Sequence, residues 1–185
     1  MAWTFYTNGA EKTSLSTVPN NAVRAKTAVA QSIPNNAFTG VDLELEDYDY
    51  GGLHVLTPSP TNRRLTAVVD GVYSITGSLN FAASTSGDRG VRILLNGATV
   101  IARSFGVTDS TSGEQPSISC TTHYYLTAGN YVELNAFQNS GASLNLDLTA
   151  TAPSLQMALI SPLSTVNGSE LTNQVYVDRQ DMFYA

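Results

Sequence analysis

Two histidines, one cysteine and a run of acids are the residues of this chain with chemistry to offer. Histidine is the usual general base and a common metal ligand. His54 and His123, however, fall in separate strand-like segments. No Gly-x-Ser-x-Gly elbow, Gly-rich phosphate loop or His-Glu-x-x-His helix completes a site around either. Each is read as a partly buried or surface side chain. Asp42, Glu44, Glu46, Asp47 and Asp49 supply the oxygens that calcium prefers. Alternating residues on a strand line up along a face instead of converging on a point, so these acids read as a solvated face that also guards an edge by charge. Hydrolysis of a polysaccharide would need two carboxylates about 5–10 Å apart across a groove, and the sequence does not place such a pair. Cys120, in Ile118-Ser119-Cys120-Thr121, reads as a small buried hydrophobe with no electropositive neighbour to activate it. One cysteine permits neither an internal disulfide nor a cysteine metal cluster. The sequence therefore predicts no catalytic residue, no metal site and no cofactor.

The elements that carry these residues are strands. Arg64 to Phe81 reads as a strand, a tight turn at Asp70-Gly71, and a second strand. In that second strand Tyr73, Ile75, Leu79 and Phe81 alternate with Ser74, Thr76, Ser78 and Asn80, the period of a half-buried strand. Thr27–Ile33 is a further candidate strand. Val41, Leu43 and Leu45 alternate with the acids. Val91–Asn96 and Ala98–Phe105 form a hairpin at Asn96-Gly97, and Ser117–Leu126 with Tyr131–Phe137 a second, turned at Ala128-Gly129-Asn130. Leu144, Leu146 and Leu148 share one side, and Leu155, Met157 and Leu159 close the domain. Ser84–Arg89 and Gly106–Pro116 read as polar loops. No amphipathic helix is predicted. The expectation is an all-β sandwich, jelly roll or barrel.

A chain of 185 residues suits one domain with modest extensions, here 1–25, 26–160 and 161–185. The two extensions carry aromatics that are costly to leave in water: Trp3, Phe5 and Tyr6 in the first, Tyr176, Phe183 and Tyr184 in the last. These six are the candidate docking residues. A net charge of −6 argues against nucleic acid as a partner. No apolar run approaches the roughly 20 residues that span a bilayer, and the first residues lack the basic and apolar regions of a signal peptide.

Several segments taken together carry a family resemblance. They are Gln31-Ser32-Ile33-Pro34-Asn35-Asn36, Thr39-Gly40-Val41, Glu46-Asp47-Tyr48-Asp49, Asn62-Arg63-Arg64-Leu65-Thr66-Ala67, Gly71-Val72-Tyr73-Ser74-Ile75, Val91 to Gly97 and Tyr125 to Leu134. In order and spacing, residues 26–160 resemble the C1q/TNF-like jelly roll, more narrowly the C1q-like domains of bacteriophage and bacterial proteins. The final strand departs from the pattern: in Ser154–Ile160, Leu and Met stand for the family's aromatics and Ala for its Gly. The opening segment Trp3 to Thr13 is similar to the start of small phage virion proteins, where it attaches a globular head to the particle. The resemblance implies a two-sheet antiparallel jelly roll and a homotrimer that binds and does not catalyse. It implies a virion location after synthesis in the bacterial cytoplasm, with other virion proteins as partners. A capsid decoration or head-fibre protein is one such role. A tail-associated receptor-binding protein recognising a host cell-surface glycan is the other. Ser74, Thr76 and Ser78 are expected to lie near neighbouring protomers.

Overall fold

Alternation of apolar and polar residues builds the molecule as two packed antiparallel sheets. A computed structural model describes residues 5–7, 10–12, 20–107, 117–149 and 151–162. Its strands are β1 (Phe5–Thr7), β2 (Ala10–Lys12), β3 (Ala22–Lys26), β4 (Ser32–Ile33), β5 (Thr39–Gly40), β6 (Leu45–Tyr50), β7 (Arg64–Thr66), β8 (Gly71–Asn80), β9 (Asp88–Leu95), β10 (Thr99–Val107), β11 (Ser117–Leu126), β12 (Tyr131–Gln138), β13 (Leu144–Asn145) and β14 (Ser154–Pro162). One sheet runs β11-β8-β14-β3-β6. The other runs β10-β9-β12-β5, with β7 also pairing β12. The short pairs β1–β2 and β4–β13 stand apart. This is an all-β, two-sheet antiparallel jelly roll. Among the described residues, no helix is long and apolar enough to cross a membrane.

The core lies between the sheets. Val23, Ala25, Tyr73, Ile75, Leu79, Leu155 and Met157 face Val91, Ile93, Val132, Leu134 and Ala136, with Phe81, Leu126 and Leu146 filling the ends. Gly77 is part of this fit. A Cβ on it would run into the Leu134 side chain from the opposite sheet, so its bareness lets the layers approach.

The Asn96-Gly97 hairpin forms between β9 and β10 as its sequence predicts. Both turn residues have positive φ, 50° and 70°, the geometry of the two-residue turn that matches strand twist. The two other predicted hairpins do not form. β7 pairs β12, whereas β8 pairs β11 and β14. Arg64 to Phe81 therefore crosses from one sheet to the other at Asp70-Gly71. Likewise β11 pairs β8 and β12 pairs β9, so Thr127–Asn130 is a second crossover. The two connections brace each other: Ala67 N donates to Asn130 O, Gly129 N to Ala67 O, and Ala128 N to the Asp70 carboxylate. Tight-turn residues serve these crossings because the chain must still reverse within a few residues.

Two further expectations are corrected. Thr27–Gln31 is not strand; the regular element lies earlier, at Ala22–Lys26, and pairs with both β14 and β6. β3 thus brings residues 22–25 into the sheet, and β14, the last of the described strands, runs to Pro162. Asp42 and Glu44 precede β6, and a register shift opposite Arg24 and Ala25 breaks the acidic alternation. Leu45 turns outward, 46% exposed, while Glu46 and Asp49 turn inward to hold the loop that follows.

Candidate interaction surface

His54 and the acids are used to hold the fold. The His54 ring is buried, with Nδ1 2.7 Å from Glu46 Oε1 and Nε2 2.8 Å from Asn62 O. A carbonyl only accepts, so Nε2 carries a proton. Asp49 accepts from the backbone N–H groups of Leu53 and His54 at 2.9 and 3.0 Å. Asp42 accepts from Arg63 Nε at 2.7 Å. Burial pushes its carboxyl up, but the Arg63 guanidinium and the Ser59 hydroxyl together hold it below the ordinary value. Glu44 accepts from Ala28 N, and Asp47 pairs with Lys26 and Arg24. The acids are thus divided among separate anchor points. Among the described residues, no three His, Cys, Asp or Glu side chains are grouped to hold a metal. His123 is exposed on β11.

Cys120 is buried, and burial pushes its thiol up to about 11. A thiol is unreactive until ionised. At pH 7.5 the native protein is expected to react with iodoacetamide roughly three-hundredfold more slowly than the unfolded chain, whose thiol ionises near 8.5. Comparable rates in the two states, followed by mass spectrometry, would contradict this burial.

Among the described residues, a broad sheet face with a shallow pocket is open to a partner. β8, β11 and β14 are neighbours, and none of the three carries an Asp, Glu, Lys or Arg, in a chain that is 13% charged. Strand register fixes which of their residues point away from the core. Thr76 stands between Thr121 and Gln156, Ser74 between His123 and Ala158, and Ser78 opposite Ser119. The Thr76 and Thr121 hydroxyls bond each other at 3.0 Å. A shallow pocket of about 170 Å³ opens among Tyr48, Ser74, Thr76, Gln156, Met157 and Ala158. Tyr48 and Tyr50 stack beside it on β6, with ring centroids 5.6 Å apart. An antiparallel sheet that meets water on one side ordinarily presents polar and charged residues there. Depletion of charge is instead the mark of an interface centre. The outward setting of Ser74, Thr76 and Ser78 was legible in the sequence. That two flanking strands share their lack of charge was not, because the strands are distant in the chain.

Of the six terminal aromatics, Trp3, Tyr176, Phe183 and Tyr184 lie outside the described residues. Phe5 and Tyr6 fall in β1, paired with Lys12 and Glu11 of β2. One charged residue lies where the sequence did not place it. Arg89, assigned to a polar loop, is 1% exposed within β9. Its Nη1 donates to Ser86 O and Asp88 O, and its guanidinium carbon lies 5.6 Å from the Phe81 ring centre.

The strand order and layering define a fold of the C1q/TNF-like jelly-roll class. Murine APRIL at pH 5.0 superposes with a TM-score of 0.58 at 14% identity, over 76% of this chain and 99% of that one. The Eiger TNF of S. frugiperda gives 0.54 at 11% identity, over 79% and 96%. The globular domain of zebrafish complement 1qA gives 0.51 at 13% identity, over 77% and 98%. At these identities the likeness is one of fold. No protein-family model and no curated protein matches the chain by sequence.

Proposed function

We propose that this chain is a non-enzymatic structural protein of a bacteriophage virion. It is a homotrimeric, surface-exposed knob held to the particle by its terminal segments, and it serves on the capsid as a decoration or head-fibre protein. The observation that carries the reading is the uncharged face of β8, β11 and β14. Three copies of that face, packed side by side around a three-fold axis, bury hydroxyls and tyrosines without stranding a charge. The pocket beside Tyr48 then receives a side chain from the neighbouring copy. The fold likeness supports a domain that recognises and assembles. The diversion of His54 and the acids into structural contacts supports the absence of catalysis. The virion setting rests on the opening segment Trp3 to Thr13, and anchoring rests on the aromatics at both ends. In this reading the protein is made in the bacterial cytoplasm and leaves it as part of the particle.

The test is antibody labelling of intact particles, viewed by electron microscopy. Label over the capsid shell is the expected result. Label at the tail tip would replace the decoration role with receptor binding, and particles that bind no antibody would overturn the virion reading.

A further inference from the structure

The opposite sheet has a different character. On its outward face Arg103 of β10 stands directly across from Arg92 of β9, which in turn stands across from Asn135 of β12. Like charges set opposite each other on an antiparallel pair repel. Arg24, Lys26, Arg63 and Arg64 all meet carboxylates. Among the described residues, Arg92 and Arg103 meet none. Arg92 is held in place all the same. Its guanidinium carbon lies 3.7 Å from the Phe38 ring centre, and its Nε and Nη2 both donate to Asn135 Oδ1, at 3.1 and 3.0 Å. A guanidinium has five N–H donors in a rigid fork, and three of those on Arg92 make no hydrogen bond among the described residues.

One row further along the same strands, Phe105 and Phe137 lie across Gly90 from each other, and Phe38 completes the cluster. Ring centroids are 5.0 Å apart for Phe38 and Phe137, 5.8 Å for Phe105 and Phe137, and 6.1 Å for Phe38 and Phe105. Phe105 rests on bare Gly90, where an added Cβ would come within 2.6 Å of its ring. Yet Phe105 is 51% exposed and Phe38 36%. Exposed aromatics grouped this way mark a binding surface, and a few polar groups set among them fix a ligand's orientation.

We propose that this face binds an acidic saccharide, a polymer of uronic or sialic acid type. Its carboxylate bridges the Arg92 and Arg103 guanidiniums, and the C–H face of an adjoining ring stacks on Phe105 and Phe38. A guanidinium fork matches a carboxylate in shape and charge. The two rows are two residues apart along the strands, about 7 Å, the reach from one sugar ring to the carboxylate of its neighbour. The site is built on the face and not on the sheet edge. A peptide added as a strand alongside β10, which is the edge, would use main-chain groups and leave Arg92 and Phe38 untouched. The proposal does not depend on the trimer or on the particle position.

Titration calorimetry of the full chain tests it, with polygalacturonate, polysialic acid, methyl-esterified polygalacturonate and poly-L-glutamate as probes. At least one of the two acidic saccharides is expected to bind. Arg103→Gln, at an exposed position, and Phe105→Ser are each expected to weaken that binding about tenfold or more, with the melting temperature of Arg103→Gln unchanged. Esterified polymer is expected to bind at least about tenfold more weakly than the free acid. The proposal is overturned if neither acidic saccharide binds, if the ester binds equally, or if Arg103→Gln binds like the parent. Poly-L-glutamate binding as tightly as the sugars would also overturn it, by showing that charge alone suffices.

Discussion

Phe81→Ala is expected to lower the free energy of unfolding by about 3–5 kcal/mol, the range for deleting a fully buried ring. Phe81 has no exposed surface, and at the end of β8 it bridges to Leu146. Its position explains why the cost should fall high in that range. Arg89 is buried beside the ring, and its Nε and Nη2 have no hydrogen-bond partner among the described residues. Burial disfavours the charged form of its guanidinium, which lies below its ordinary pKa. The face of Phe81 is part of what makes that charge tolerable. Removing it leaves a cavity with a cation at its wall, two penalties at one site. Urea denaturation should show a lower midpoint with an unchanged slope. Val68→Ala, at an exposed position, should fall within about 0.5 kcal/mol of the parent. A loss under about 1 kcal/mol for Phe81→Ala would mean that the ring is not buried between the sheets as described.

Thr76→Arg is expected to abolish assembly while leaving the protomer folded. Thr76 sits at the middle of the uncharged face, flanked by Thr121 and Gln156. In a single protomer its side chain points away from the core, so arginine can extend into water there. In a trimer built on this face, three guanidiniums would be buried near one another without carboxylates, each costing several kcal/mol. Such a cost raises the dissociation constant by about two orders of magnitude or more. Sedimentation velocity should then find a monomer, with the β-sheet circular dichroism of the parent. A variant that stays trimeric would move the interface to another surface.

How far these features were legible in the sequence depends on the distance over which each is decided. The β9–β10 hairpin was legible because Asn96-Gly97 specifies a turn that joins adjacent paired strands. The partners of β7 and β11 were not. Asp70-Gly71 and Ala128-Gly129-Asn130 reverse the chain, but the same reversal serves a hairpin or a crossing between sheets. The choice rests on pairing with β12, β9 and β14 elsewhere in the chain. The acids at 42–49 were misread because a register shift between β3 and β6 ends the alternation that the sequence shows. Arg89 was misread as a loop residue because its burial depends on Phe81 and on strands to either side. The aromatic face follows the same rule. Phe38, Phe105 and Phe137 belong to three separate segments, and only the sheet brings them together. The charge-free strands, by contrast, were visible one at a time, and the structure makes them neighbours.

The proposed packing of three copies through this face fixes the mass of the full-length protein in solution. Light scattering coupled to size exclusion at neutral pH should give about 59 kDa, three times the 19.7 kDa of the chain. A mass of 19.7 kDa that persists on concentration would contradict it.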